Sequence, residues 1–297
     1  MMKKVIALLF IILIAVAGWY FFLKPGDFTA KIKAKGNLGT IEQSIKNWNE
    51  RALITDVKIG EENIQLTQEF TRQDSTHIYE WNIVKIHDSL SEITVHVTDP
   101  THSISNRLHS VFKTTDFKKS ATATVLEFNE LLQDHLDRIT VTIIGEEELP
   151  AKFYAYTTLE GLQILKAGGM MRDINHLQGT MASYDIALDG RPFVQITDWN
   201  RETDSIKYHF AFPIIERDSL PQVKDIKYGS RPATKAIKAI YNGNYITSDR
   251  AWYALLNYAK SNNIRVDPKP TEVFYNNPNM GGDESNWKTE IYMPIIN

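Results

Sequence analysis

Two stretches in the second half of the chain end in the same way. Tyr208 to Ile214 reads YHFAFPI and Thr289 to Ile295 reads TEIYMPI. Aligning Pro213 with Pro294 sets His209 opposite Glu290 and Ala211 opposite Tyr292. Each stretch follows a strand, a helix and another strand. In the first copy these are KFYAYTTL, a helix near Met170 to Tyr184, and PFVQITDW; in the second they are TKAIKAIY, a helix Thr247 to Ser261, and TEVFYNN. A duplicated unit packs against its twin. Two copies are too few for a solenoid, so the pattern predicts one pseudo-symmetric domain.

Strand alternation puts Glu290 on one face of the last strand with Tyr292, and Thr289, Ile291 and Met293 on the other. A carboxylate beside an aromatic ring on a domain-closing strand therefore asks for a reason. The preceding helix has Trp252, Leu255, Leu256 and Ala259 on one stripe, and Thr247-Ser248-Asp249 offers N-cap oxygens at its start. Asn276-Asn277-Pro278-Asn279 and Gly281-Gly282 supply turn chemistry before the last strand.

The other end of the chain is different in kind. Val5 to Leu23 is an uninterrupted apolar run, about the ~20 residues that cross a bilayer as a helix, and Trp19 to Phe22 stand at its far end, where aromatic rings favour the interface. No small-x-small cleavage site follows, so an uncleaved anchor over residues 1–24 is expected rather than a signal peptide. Lys3 and Lys4 before the run nearly balance Lys24, Lys31, Lys33 and Lys35 after it. The expectation is a single pass with the soluble part outside the cytoplasm, periplasmic or extracellular.

Between anchor and repeat, FTAKIKAK reads as a strand and NLGTIEQSIKNW as a short helix with Ile41, Ile45 and Trp48 on one stripe. Four strands follow, LITDVKI, NIQLTQEF, HIYEWNIVKI and EITVHVTD, then a helix at Ser105 to Lys113 and a longer one at about Lys118 to Arg138. Residues 28–140 are thus expected to form an α+β domain. The acidic GEEE cluster and Pro150 in ITVTIIGEEELPAK are read as a solvated turn at the boundary with a second domain, 141–297.

The chain has 297 residues and a formal net charge of −3, with no long basic stretch, which argues against a nucleic-acid surface. Cysteine is absent, which removes disulfides, thiolate nucleophiles and cysteine–zinc sites together. There is no His-Glu-x-x-His or other metal spacing, no phosphate-binding Gly loop, and no Gly-x-Ser-x-Gly or Ser-x-x-Lys nucleophile. His87, His96, His102 and His109 lie in different elements without ligand spacing. No metal and no cofactor is expected; a haem-binding reading lacks a clear axial ligand beyond His176 and His209.

The stretch AIKAIYNGNYITSDRAWYALLNYAKSNNIRVDPKPTEVFYNNP, followed by WKTEIYMPI, resembles the GyrI-like small-molecule-binding domain, which also forms the effector-binding half of some bacterial multidrug-responsive transcription activators. The resemblance covers about residues 140–297. It implies two α/β repeats around a concave antiparallel sheet, with a groove that takes up small, often cationic aromatic compounds. It also implies that Glu290 matches a glutamate at the groove floor. Residues 28–140 more faintly resemble a START/polyketide-cyclase-like, helix-grip pocket, although GNLGTIEQSI stands where the usual Ala-Pro opening would be. No helix-turn-helix is visible, so the activator role of some relatives does not carry over.

Together these readings give an α+β protein: a transmembrane helix, a helix-grip-like domain and a pseudo-two-fold repeat domain. Its expected function is that of a membrane-anchored sensor or scavenger of an aromatic or cationic small molecule. Glu290 is the expected charged contact, with Tyr292, Tyr275, His209, Trp252 and Tyr156 around it. Tyr154, Trp199 and Tyr241 divide between core and wall. A His209–Glu290 pair could share a proton if the two face each other. The alternative is a hydrolase of small electrophiles, with Glu290 as base and Tyr275 or Tyr292 as hydrogen-bond donor.

Overall fold

The computed structural model describes residues 2–49, 51–72 and 75–296. It divides into two compact units, Met1–Asp134 and His135–Asn297.

In the first unit the apolar run is helical, α1 (Met2–Gly18), and continues as a π-helical turn over Trp19–Leu23. Over the 22 residues Met2–Leu23, the most apolar 18-residue stretch has a mean hydropathy of 2.7 and none of it is buried. That is the length and composition of a membrane span, and of a signal sequence too. Arg107 closes the end of the turn. Its Nη1 donates to the carbonyls of Tyr20 (3.0 Å) and Phe21 (3.1 Å), which have no helical partner there, and its Nε reaches Asp27 Oδ1 at 2.6 Å.

The strands of this unit are β1 (Phe28–Ala34), β2 (Ala52–Ile59), β3 (Asn63–Arg72), β4 (Ser75–His87) and β5 (Leu90–Thr98). They make one antiparallel sheet in the order β1-β5-β4-β3-β2. Burial alternates along β5, with Ser91, Ile93, Val95 and Val97 inside, so only one face is covered. That face carries α2 (Leu38–Asn47) and α4 (Asp116–Asp137), between which lies the shorter α3 (Ser103–Ser110) in sequence after β5. Asn37 caps α2 by accepting from Thr40 N–H at 2.9 Å. Phe128 of α4 packs on Trp48 and Trp81.

The second unit has eight strands: β6 (Thr140–Leu149), β7 (Lys152–Leu162), β8 (Phe193–Asn200), β9 (Ser205–Pro213), β10 (Lys227–Arg231), β11 (Thr234–Asn242), β12 (Thr271–Phe274) and β13 (Lys288–Pro294). The order is β10-β7-β9-β8-β12-β13-β11-β6, with every neighbouring pair antiparallel. The order read outward from the β8–β12 seam is the same in both directions, so the sequence repeat is a structural one. The two helices, α5 (Lys166–Ser183) and α6 (Arg250–Ser261), pack their apolar stripes against the same sheet face through Met170, Ile174, Leu177 and Trp252, Leu255, Ala259.

Three local expectations are corrected. The GEEE cluster is not a turn but lies in the C-terminal half of β6, an edge strand whose exposed glutamates keep that edge from pairing further. The irregularity there is a register shift opposite Lys238/Ala239, with Gly145 at φ +109°, a conformation glycine alone adopts cheaply. α6 begins at Arg250, and neither Ser248 nor Asp249 caps it, because both side chains turn inward to a buried polar cluster. The TEVFYNN strand keeps only its first four residues, leaving Tyr275 just beyond β12.

Candidate functional site

The face opposite α5 and α6 can be read as rungs from the strand register. One rung runs Tyr156, Ala211, Phe193, Val273, Glu290 and Ile240 across β7, β9, β8, β12, β13 and β11. The next runs Thr158, His209, Gln195, Thr271, Tyr292 and Lys238. Tyr154, Phe193 and Ala211 form one buried apolar group on this face, and Leu149, Ala236 and Tyr292 another; Val273 packs against both.

Glu290 stands in the second repeat's half of this floor and is 8% exposed. Its Oε1 accepts from Lys288 Nζ at 2.7 Å, and its Oε2 accepts from Tyr292 Oη at 2.8 Å and lies 3.2 Å from Lys238 Nζ. Burial opposes its ionisation, but hydrogen bonds from Lys288, Tyr292, Lys238 and Tyr275 outweigh that and lower its pKa to about 2. The rings receive the opposite push: burial first, then the Glu290 carboxylate, raises the hydroxyls of both Tyr275 and Tyr292. Glu290, Tyr275 and Tyr292 are therefore brought together.

His209 is not part of that group. It lies in the first repeat's half, with its ring 4.1 Å from that of Tyr156, and its Nδ1 has no hydrogen-bond partner. Burial, and then Lys227, lowers its pKa. Three strand spacings separate its place in the rung from Tyr292, roughly 14 Å, so His209 does not face Glu290 and the condition for a shared proton is not met. Trp252 is on the wrong side of the sheet altogether. It is 0% exposed in the helix-side core, where its Nε1 donates to Glu272 Oε1 at 2.6 Å. A residue on the apolar stripe of a helix faces the core, so it cannot also line the far face. Of the undivided aromatics, Tyr154 belongs to the open face, while Trp199 packs on Trp252 and Tyr241 bonds Thr247 Oγ1 at 2.7 Å.

Sequence reasoning missed several groups. Lys238 and Lys288 complete the Glu290 network. Arg231, 9% exposed, lies with its guanidinium 4.8 Å from the Phe193 ring. On the helix side Lys166 and Glu272 form a fully buried ion pair shared with Ser248, whose Oγ is 2.8 Å from Lys166 Nζ. Burial raises Glu272 despite Lys166. Next to this pair is an apolar cavity of about 180 Å³ under α5, lined by Met170, Met171, Ile174, Phe210, Tyr245 and Phe274 among others, with Arg191 and Tyr275 also in its lining. Among the described residues no group of His, Asp and Glu is arranged to hold a metal ion.

The model of the GyrI-like small molecule binding domain matches residues 145–296. The chain belongs to this GyrI-like family. The match is the second unit without the first strand residues of β6, and it does not extend into the first unit. No curated protein matches the chain. Among solved structures, the GyrI-like chain is similar to EcmrR in its complex with DNA, at 18% identity over 65% of this chain and 71% of that one, with a TM-score of 0.45. It is similar to the EcmrR C-terminal domain at 15% identity, over 54% and 98%, with a TM-score of 0.42. It is also similar to SAV2435 bound to tetraphenylphosphonium, at 13% identity, over 51% and 93%, with a TM-score of 0.36.

Proposed function

We propose that the GyrI-like unit is the receptor part of a membrane-anchored sensor or scavenger, and that it takes up an aromatic small molecule on the sheet face where Tyr156, Val273 and Tyr275 are partly exposed. The observation that carries the reading is the meeting, on one face, of apolar floor residues with a few convergent polar groups at Glu290, Tyr275 and Tyr292. Binding sites are built that way, from mostly apolar lining and a small number of placed polar contacts. The apolar helix at the N-terminus supports anchoring, because its exposed side chains have no protein partner and need lipid. We also take residues 28–140 and 141–297 as separately folding domains.

Glu290 is better suited to holding an orientation than to catalysis. A general base near neutral pH needs a pKa near 7, whereas this carboxylate is held at about 2 by four donors. The hydrolase alternative is therefore the less favoured reading.

A second reading places the ligand in the cavity under α5. Its volume, about 180 Å³, suits a single aromatic ring, and a cavity of ~150 Å³ lined by apolar side chains binds benzene. The two readings separate by titration of the full chain in detergent micelles with a neutral single-ring probe, benzamide. Ile174→Trp fills the cavity and should leave binding on the open face intact. Loss of binding on that substitution, with a normal melting curve, would move the site to the helix side.

A further inference from the structure

We propose that the open face selects an aromatic anion, such as an aryl carboxylate, and not a cation; this rests on the ligand-binding reading above. The negative charge that a cation would need is already used. Both oxygens of Glu290 are within 3.2 Å of a lysine, Lys288 and Lys238. The aromatic faces are used as well: Lys288 Nζ lies 4.2 Å from the Tyr275 ring centroid, Arg191 Cζ also 4.2 Å from it, and Lys238 Nζ 5.0 Å from that of Tyr292. The protein's own side chains thus occupy the cation–π positions that an organic cation would take.

The positive charge, by contrast, is in excess. Arg231 is more than nine-tenths buried, yet only its Nη2 has a partner, the Pro150 carbonyl at 3.2 Å. Its Nε and Nη1 have none. A buried guanidinium with unpaired donors is costly unless something else supplies the acceptor. The planar fork of an arginine matches a carboxylate in a two-point contact. Phe193 itself is buried under the guanidinium, and it is the partly exposed Tyr156 and Val273 of the same rung that leave apolar surface for an aromatic ring. Arg231 also lines an open depression of about 510 Å³ with Lys152, Ser230, Asp189 and Glu216, which gives an approach from outside. The carboxylates there do not satisfy it: Asp189 is held by Lys152 at 2.7 Å, and Glu216 makes no ion pair with Arg231. Lys227, opposite Tyr156 in the ladder, adds a further cation near His209. The carboxylates felt by Tyr292 are Glu290 and Glu147, with Arg231 acting against them; Glu160 and Asp198 stand further along the same face, both opposite Lys207.

The test is a titration of the full chain in micelles with three probes of one shape: 2-naphthoate, 2-naphthamide and 2-naphthylmethylammonium. Naphthoate should bind at least tenfold more tightly than the other two. Arg231→Gln should remove that advantage and leave the amide within threefold. Because Arg231 is buried, Lys238→Gln, checked for an unchanged melting curve, gives a second variant and should weaken naphthoate by several-fold. Preference for the ammonium or the amide, or an undiminished naphthoate advantage in Arg231→Gln, overturns the anion assignment while leaving ligand binding standing. Binding of none of the three to millimolar concentration would overturn both.

We infer that α3 lies in the headgroup region of the same bilayer that the apolar helix crosses. Ile104, Leu108, Val111 and Phe112 fall at helical spacing on one stripe and are all exposed, Phe112 at 82%. Arg107, three residues after Ile104 and four before Val111, flanks that stripe and clamps the end of the apolar segment; Tyr20 Oη reaches back to the Arg107 carbonyl and to Ser110 Oγ, each at 3.1 Å. The stripe is thus held at the level where Trp19 to Phe22 meet the membrane surface, the depth favoured by amphipathic helices lying in the interface. The chain has no cysteine, so single cysteines can be introduced and labelled cleanly. In nanodiscs containing brominated lipid, a fluorophore at Phe112→Cys should be quenched as one at Ile12→Cys is. One at Asp88→Cys should not be, because it stands beyond the far end of β5, roughly 23 Å along the sheet from Phe28. Quenching at position 12 without quenching at 112 overturns the docking of α3. No quenching at 12 overturns the anchor as well.

Discussion

Lys288 and Glu290 stand two residues apart on β13, on the same face, with Nζ 2.7 Å from Oε1. A carboxylate that reads in isolation as a free contact for a ligand is in fact the centre of a network with Lys238, Tyr292 and Tyr275. Its ionised form is what the fold holds, and the pKa of about 2 expresses that.

The pH dependence follows from that depressed value. A carboxylate whose pKa is lower in the folded state stabilises the fold fully above its unfolded value, near 4.5, and the contribution is lost as pH falls towards 2. Glu290→Gln should therefore be less stable than the wild type at pH 7, by on the order of 2 kcal/mol after allowing for the more exposed Lys288 arm. The gap should shrink steadily between pH 4.5 and 2. Urea denaturation across that range measures it; a gap that is unchanged at low pH would mean that the network is not formed.

The buried Lys166–Glu272 pair makes a different forecast. Lys166→Met leaves Glu272 uncompensated in the core and should cost roughly 3–5 kcal/mol. Adding Glu272→Gln to that variant should recover a large part of the loss, since no buried charge then remains. Denaturation of the two single variants and the double variant decides it, and simple additivity would contradict a direct pair.

Membrane association is checked by fractionation. The native chain should remain with membranes through a carbonate wash, and removal of residues 2–23 should release it. Recovery of a soluble mature form beginning near Lys24 would identify the apolar helix as a cleaved signal.

The repeat was legible because its two proline-terminated strands carry the same local pattern, and that pattern survives in the mirrored strand order. The Glu290–Tyr292 face was legible for the same reason, since alternation along one strand is local. Lys288 could have been added by extending that alternation by two residues. Lys238 and Arg231 could not, because they reach the site from other strands whose register is set by tertiary pairing. The GEEE stretch misled because acidic residues and glycine suit a solvated edge strand as well as a turn. Ser248 and Asp249 have the chemistry of a cap, but a buried lysine and a buried glutamine compete for the same oxygens.

The most direct test of ligand binding on the open face uses Val273, which stands between Phe193 and Glu290 in the floor rung. Its replacement by tryptophan places a large ring where the ligand's ring would lie. Calorimetric titration of the full chain in micelles with 2-naphthoate should give measurable binding to the wild type and at least tenfold weaker binding to Val273→Trp at an unchanged melting temperature. Equal affinity of the two proteins for the probe would contradict the placement of the site on this face.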